Sequence, residues 1–313
     1  MTDIRIRDIA PRLAGQAHPI TTDDKVRLID ELTAAGVPAI EVSSFVRPDL
    51  IPGLADADEV FARITRRPNV SLECCVGNER GLRRAIDAGA DAAWFLLSAD
   101  DGFAQHNIGR STEQSLRELE RMQQLARSAP ITLGTYIIFA WGGPTSPPRR
   151  AADLNALTGR LTDIEVREWI LADSCGYASP AAIRELTTFA IEQLGGPDTL
   201  TVQIHDGRGM GLANIIELAD LGITRIDTAL AGSGGHPAMK NTPGAGLCTE
   251  DTVQLLHLEG HTTGIDLPQL IDTANWFADT LQVPSNGFVR HAGPVPVASG
   301  YSPPQAEFEW RTA

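Results

Sequence analysis

Short apolar runs alternate with amphipathic stretches along almost the whole chain. Runs rich in valine, isoleucine and leucine predict β-strands at residues 4–8, 39–42, 71–76, 92–97, 131–138, 168–172, 200–205 and 224–229. Apolar residues at helical spacing predict helices at 23–35, 56–64, 79–88, 111–127, 150–161, 180–194, 211–221 and 249–259. Polar residues mark several helix starts, for example Ser111 and Gln114 at the spacing of a capping box.

Eight strand–helix units follow one another between residues 4 and 259. This repetition favours an α/β fold of the closed (β/α)8 barrel type over an open doubly wound sheet. No glycine-rich dinucleotide motif follows the first strand, which argues further against the open sheet. One more helix at 267–281 precedes a segment from Pro284 rich in proline and glycine. We therefore predict one barrel domain at residues 1–290 and a C-terminal tail at 291–313. The helix at 267–281 and the segment after it would form a helical and irregular C-terminal extension.

The amino-acid composition limits which binding partners and which cellular compartment we expect for this protein. The chain is 42% hydrophobic and 21% charged, which is ordinary for a soluble globular protein. Its net charge of −14 argues against nucleic acid or an anionic membrane as partner. No apolar run is long enough to span a membrane, and the 4 cysteines show no CxxC spacing. We expect a cytoplasmic protein with a small-molecule substrate, and a homo-oligomer stays open.

Polar side chains stand where several predicted strands end. In a parallel barrel these ends converge on one face, so residues distant in sequence become neighbours. Charged groups there are unfavourable unless they are paired or functional. Arg12 with Glu41 could also be a structural ion pair, and Asp173 could bind backbone N–H groups. We predict one pocket with these candidate catalytic residues: Arg12, Glu41, Asp173, His205 and His236.

Five segments in order resemble the 3-hydroxy-3-methylglutaryl-CoA lyase family, a branch of the barrel metallolyases with homocitrate and isopropylmalate synthases. The resemblance runs from about residue 4 to residue 293. It is carried by residues 9–16 (IAPRLAGQ), 36–60 (GVPAIEVSSFVRPDLIPGLADADEV), 171–180 (LADSCGYASP), 205–214 (HDGRGMGLAN) and 231–251 (AGSGGHPA…GLCTED).

The resemblance implies a retro-aldol type of cleavage. In the family a divalent metal and an arginine hold the substrate oxygens, a carboxylate takes the hydroxyl proton, and a loop cysteine helps to protonate the enolate. Arg12, Glu41, Asp173 and His205 occupy matching positions.

Several expected family residues are missing. Leu13 stands where the family has an aspartate ligand, Gln203 replaces the first histidine of the His-x-His motif, and Gly246 replaces a ligand asparagine. His236 stands in place of the loop cysteine, and the loop is about one residue longer, so that Asn241 could shift into the ligand position.

These losses change the expected cofactor. Mg²⁺ or Mn²⁺ needs about six oxygen or nitrogen ligands, usually with carboxylate charge. We therefore expect no bound metal in the family's manner, with His205 as the ligand if a metal binds. A relocated Zn²⁺ site made of His205, His236 and either Asp173 or Glu41 stays open.

Three functions from different classes remain at this point. The first is a carbon–carbon lyase of retro-aldol or retro-Claisen type, acting without metal on a 3-hydroxy acyl-CoA or a related hydroxy or keto acid. There His236, with Asp173 or Glu41, would act as acid and base, and Arg12 would stabilise the enolate. The second is a repurposed barrel in specialised metabolism that catalyses isomerisation, dehydration, decarboxylation or condensation. The third is a non-catalytic relative that binds a ligand. We expect substrate contacts from Gln16, Ser43, Gln203, Lys240 and Asn241.

Overall fold

Eight parallel strands close into a barrel in chain order, which confirms the predicted (β/α)8 architecture. The computed structural model describes residues 2–234 and 246–296, except for the side chains of Asn107 and Ile108. The strands are β1 (Arg5–Asp8), β2 (Ala39–Phe45), β3 (Ser71–Val76), β4 (Ala92–Ser98), β5 (Thr132–Ile138), β6 (Trp169–Asp173), β7 (Leu200–Ile204) and β8 (Arg225–Thr228).

Helices surround the barrel. They are α1 (Ala10–Ala17), α2 (Thr22–Ala34), α3 (Ala57–Arg63), α4 (Glu79–Asp87), α5 (Asp101–Phe103), α6 (Thr112–Ala126), α7 (Asn155–Asp163), α8 (Pro180–Leu194), α9 (Gly211–Asp220), α10 (Thr249–Leu258), α11 (Leu267–Asn275) and α12 (Val289–Ala292). Helices α1 to α9 lie between consecutive strands, and α10 to α12 follow the last strand. The capping box at the start of α6 is present, with the side chains of Ser111 and Gln114 each accepting from the backbone N–H of the other.

The structure corrects the end of the second strand. β2 continues to Phe45, three residues beyond the predicted end at residue 42. The pairing with β3 shifts between Glu41 and Ser43, so the strand carries an irregularity there. An extra residue of this kind breaks the alternation of apolar and polar positions, which is why the pattern failed to reveal the extension.

The structure also corrects the position of Arg12, which we expected at the end of strand one. β1 ends at Asp8, and Arg12 lies in α1, a helix that we did not predict. The side chain of Asp8 accepts from Ala10 N at 2.8 Å, and Pro11 lies in the first turn, where its missing N–H is tolerated. The helix is only 8 residues long and includes Gly15, so its periodicity is weak.

Most buried apolar residues that the structure describes belong to two clusters. The larger cluster fills the space between strands and helices, and includes Cys74. The smaller one fills the barrel interior and includes Cys75, Trp94 and Tyr136. A Cβ atom on Gly134 would collide with the ring of Trp94, so this glycine makes room for the indole. The adjacent cysteines therefore face opposite sides of β3, as strand alternation requires.

The C-terminal extension packs against α10. Asp251 accepts from Phe288 N at 3.0 Å and from Val289 N at 2.7 Å, at the start of α12. The boundary expected at residue 290 falls inside α12 and stays a prediction. No helix of the described residues is both long and apolar enough to cross a membrane.

A buried carboxylate joins the first strand to the helix that follows the last one. Asp8 is fully buried and accepts from Thr249 Oγ1 at 2.6 Å, and Thr249 is also 2.8 Å from the hydroxyl of Thr228. Burial raises the pKa of Asp8 to about 7, although the bonds from Thr249 and Ala10 N act in the opposite direction. The folded protein therefore holds the proton of this carboxyl more tightly than an unfolded chain does.

This pKa makes stability fall as the pH rises. The contribution of Asp8 is fully present below its unfolded pKa and is lost as the pH rises through its folded pKa of about 7. We expect that between pH 5 and pH 8 the Asp8→Asn variant loses less unfolding free energy than the wild type, by roughly 2–3 kcal/mol. Urea unfolding at both pH values measures this. Asp23→Asn, on the exposed first turn of α2, controls for the loss of one carboxylate, and equal pH slopes in wild type and Asp8→Asn would contradict the assignment.

Candidate active site

Arg12, in α1, and Glu41, in β2, form a buried ion pair. Arg12 Nε lies 2.5 Å from Glu41 Oε2, and the two side chains are 11% and 0% exposed. The two terminal nitrogens of Arg12 make no hydrogen bond to any residue that the structure describes. The guanidinium is thus held at one edge, and its remaining N–H groups are available to a ligand.

Glu41 is itself fixed by two further donors. Tyr136 donates to Glu41 Oε1 at 2.9 Å, and Cys75 Sγ lies 3.2 Å from the same oxygen. Burial would raise the pKa of Glu41, but the charges of Arg12 and Arg7 outweigh it and hold this pKa below its usual value. Glu41 is therefore ionised at neutral pH, and its contacts suit a group that positions Arg12 better than one that carries a proton.

A second buried arginine lies beneath this pair, inside the barrel. Arg7 donates to both oxygens of Asp227, at 2.9 and 2.6 Å, and to Glu73 at 2.8 Å. It also donates to Tyr136 Oη at 2.5 Å. Burial raises the pKa of Asp227 to about 6, although Arg7 opposes the shift. We call Arg7, Arg12, Glu41, Glu73, Tyr136 and Asp227 the interior polar network.

Sequence reasoning missed four members of this network. From the sequence we predicted catalytic residues at the ends of strands. The four missed residues lie inside strands: Arg7, Glu73, Tyr136 and Asp227. A signal was present, because charged residues inside otherwise apolar strands must find partners when the strands are buried. Which of these residues contact one another depends on how the strands are aligned in the closed barrel, and the sequence of a single strand does not show this.

Asp173 lies elsewhere on the same face of the barrel. Its two oxygens accept from Tyr177 N at 2.8 Å and from Ala178 N at 3.0 Å, which holds the loop between β6 and α8. Burial raises the pKa of Asp173 to about 6 against these bonds. No ion pair or hydrogen bond of the described residues joins it to Arg12 or Glu41. The structure therefore brings Arg12 and Glu41 together but gives Asp173 backbone partners.

His205 follows β7 and is buried. It forms an isolated bridge with Gly246, where the chain returns from the glycine-rich loop. Gln203, two residues earlier on β7, is also buried. Of the other predicted substrate contacts, Gln16 lies in α1 and Ser43 in β2, and Ser43 Oγ is buried without a hydrogen-bond partner among the described atoms. His236, Lys240 and Asn241 lie outside the described residues.

The residues at the expected ligand positions do not fit a divalent cation. Leu13 is 5% exposed and belongs to the hydrophobic core, and a Cβ on Gly234 would lie 2.8 Å from its Cδ1. A Cβ on Gly246 would collide with Ser233 O. His205 and Gln203 then supply one imidazole and one amide, and no group of three histidine, cysteine or acidic ligands occurs in the described ranges. Mg²⁺ or Mn²⁺ requires more oxygen ligands and more charge than this.

Comparison with known proteins places this geometry in a family. The HMGL-like family model matches residues 4–277. The mitochondrial hydroxymethylglutaryl-CoA lyase of Gallus gallus is 31% identical over 291 residues, which cover 92% of this chain and 97% of that enzyme. The (R)-citramalyl-CoA lyase of Chloroflexus aurantiacus is 34% identical over 312 residues, covering 94% and 96%.

Solved structures agree in fold over nearly the full length. An HMG-CoA lyase from Acinetobacter baumannii, in complex with coenzyme A and 3-methylmalate, superposes with a TM-score of 0.87 at 28% identity, covering 96% of this chain and 98% of that one. The HMG-CoA lyase of Bacillus subtilis gives a TM-score of 0.86 at 29% identity, with coverage of 93% and 98%.

Proposed function

The chain belongs to the HMGL-like family, and on that premise we propose that it cleaves a carbon–carbon bond in a 3-hydroxyacyl-CoA thioester. The relatives named above are carbon–carbon lyases of CoA thioesters, and the match covers almost the whole of each chain. The observation that carries the proposal is the buried pair of Arg12 and Glu41, with the terminal nitrogens of Arg12 left available.

The reaction requires a proton acceptor and a stabiliser of negative charge. A base removes the proton of the substrate hydroxyl, the oxygen forms a carbonyl, and the electron pair of the broken C–C bond passes to the thioester as an enolate. Arg12 donates N–H groups to the oxygen on which this charge develops, and Glu41 holds the guanidinium in place. Protonation of the enolate carbon then gives the second product.

Two residues are candidates for the group that transfers the proton. A histidine side chain ordinarily titrates near neutrality, so His236 is the first candidate to carry the proton, as we expect from the sequence. Asp173 is the second candidate, because burial raises its pKa to about 6, close to the operating range of a general base. A cytoplasmic location and a homo-oligomeric state stay predictions.

The proposal includes turnover without a divalent cation. Support comes from the donor set, since Leu13 and Gly246 provide no ligand atoms from their side chains and Gln203 provides a neutral amide. We expect purified protein to contain less than stoichiometric divalent metal, and cleavage to be unchanged by a chelator. Metal analysis beside an assay of 3-hydroxy-3-methylglutaryl-CoA and citramalyl-CoA cleavage measures both.

The control for this experiment is the double variant Leu13→Asp, Gln203→His. It restores the carboxylate and the first imidazole of the family's ligand pattern at these two positions, so we expect it to bind Mn²⁺ more tightly than the wild type. Wild-type turnover that is lost with chelator and restored by stoichiometric metal would contradict metal independence. Absence of cleavage with every 3-hydroxyacyl-CoA tested, with or without metal, would overturn the proposed function itself.

A further inference from the structure

A cavity of about 560 Å³ opens beside the candidate active site. It is lined by Tyr177 from the loop after β6, Arg208 from the loop after β7, and residues 143–148 from the loop after β5. Tyr177 donates its N–H to Asp173, and Gly176 lies against the carbonyl oxygen of His205. The cavity and the candidate active site therefore share two loops.

One wall of this cavity is built around a buried carboxylate. Asp100, which is 1% exposed, accepts from Thr145 N at 3.1 Å, from Ser146 Oγ at 2.9 Å and from the hydroxyl of Thr145. A Cβ on Gly143 would lie 2.5 Å from Asp100 Oδ2, so the loop approaches the carboxylate more closely than another residue would allow. These contacts fix the wall before any ligand arrives.

Because of these contacts, nearly all N–H and O–H groups of this wall already donate hydrogen bonds within the protein. The hydroxyl protons of Thr145 and Ser146 point to Asp100, and Gly143 N and Ser146 N donate to each other's carbonyl oxygens. The prolines in the loop have no N–H at all. The side chain of Tyr177 is hydrogen-bonded to the thiol of Cys175. A ligand in the cavity can therefore receive hydrogen bonds from Arg208 and from little else.

Arg208 is held in place without a carboxylate. One terminal nitrogen donates to Cys175 O, and its guanidinium carbon lies 4.9 Å from the centre of the Tyr177 ring. Among the described residues no aspartate or glutamate oxygen lies within ion-pair distance of Arg208, although the chain carries 40 acidic residues. The charge of Arg208 lowers the pKa of Asp173, but the two side chains form no ion pair, so the guanidinium can still pair with an anion in the cavity.

We propose that this cavity, which we call the Arg208 pocket, binds an anionic group of the substrate, with Arg208 as the residue that determines specificity. The inference rests on the proposed function, because it assigns the pocket to the same substrate. A carboxylate at the end of the acyl chain and a phosphate of CoA share the chemistry that Arg208 recognises, namely several acceptor oxygens with negative charge.

Binding measurements on the full chain test this without requiring turnover. Isothermal titration uses four probes: 3-methylmalate, a hydroxy monoacid of the same carbon skeleton, CoA and dephospho-CoA. We expect Arg208→Ala to weaken binding of at least one anionic probe by about 10- to 100-fold, as loss of a charged hydrogen bond does. Arg208→Gln, which keeps a donor for Cys175 O but loses the charge, should show the same loss, and Arg208→Lys a smaller one.

The matched control is Arg67→Ala, which removes an exposed arginine between α3 and β3, at the opposite face of the barrel. It should leave all affinities unchanged. Weaker 3-methylmalate with unchanged CoA assigns the pocket to the acyl carboxylate, and the monoacid should then be insensitive to Arg208. Weaker CoA with unchanged 3-methylmalate assigns it to a phosphate, and dephospho-CoA shows whether that phosphate is the 3′ one.

Two results separate this inference from the proposed function. Unchanged affinity of Arg208→Ala and Arg208→Gln for both 3-methylmalate and CoA would overturn the Arg208 pocket, whatever the turnover. A wild-type protein that binds these probes through Arg208 but cleaves no thioester would leave the pocket standing and remove the lyase activity.

Discussion

Replacing Arg12 by alanine is expected to lower kcat/KM for thioester cleavage by about 100- to 1,000-fold, the usual effect of removing a fixed donor from a developing oxyanion. The guanidinium is held at 2.5 Å by Glu41, and its terminal nitrogens are the donors that the ligand would use. Steady-state kinetics with a series of substrate concentrations measures the loss and divides it between kcat and KM. Most of it should lie in kcat, since the charge appears only in the transition state.

Two further variants distinguish a chemical role from a structural one. Arg12→Lys keeps the charge but loses the planar fork, so we expect an intermediate rate. Arg27→Ala, which removes an exposed arginine paired with Glu31 on α2, should behave like the wild type. Arg12 is not the enolate stabiliser if Arg12→Ala and Arg27→Ala give the same kcat in well-folded protein.

Replacing Arg7 by methionine is expected to reduce the unfolding free energy by roughly 3–5 kcal/mol, because it leaves buried carboxylates without their partner. Glu73 and Asp227 lose their ion pairs, and Arg12 alone remains to offset the charge of the interior polar network. At about 2 °C per kcal/mol the midpoint of thermal unfolding should fall by roughly 6–10 °C. Scanning calorimetry at pH 7.5 measures this shift.

The pH dependence of that loss gives a sharper check. Burial already raises the pKa of Asp227 to about 6, and removal of Arg7 takes away the charge that opposes the shift. Protonation at pH 5.5 should therefore neutralise part of the unpaired charge, and the difference between variant and wild type should shrink. Arg225→Met is the control, since Arg225 pairs with the partly exposed Glu168 and should change stability by less than about 1 kcal/mol. Equal losses of unfolding free energy in Arg7→Met and Arg225→Met would show that the interior polar network stabilises the protein no more than a partly exposed ion pair does.

The barrel was predictable because its periodicity is local. Each strand and most helices follow from apolar spacing, and α8 begins and ends at the predicted residues. The exceptions arise where contacts, not periodicity, specify the structure. α1 is specified by Asp8 bonding Ala10 N and by the close approach of Gly15 to Leu54, and neither contact leaves a periodic trace in the sequence.

The candidate site was predictable only in part. The sequence placed Arg12 and Glu41 in one pocket and left an ion pair between them as the structural alternative. Tyr136 and Cys75, which donate to Glu41, come from strands that the sequence shows as ordinary core. Arg208 carried no signal at all, since an arginine after a glycine turn resembles a solvated side chain until the loop from β5 is seen beside it. The role of His236 stays a prediction.

Arg7 also constrains how this polypeptide reaches its native state. It stands on the first strand, yet its bidentate partner Asp227 stands on the last, 220 positions later. Until the ribosome has released β8, the barrel is not closed, and Arg7 can pair with Glu73 but not with Asp227. The ion pairs of Arg7 are therefore completed only after the last strand has been made, and we expect a chain truncated before residue 227 to aggregate.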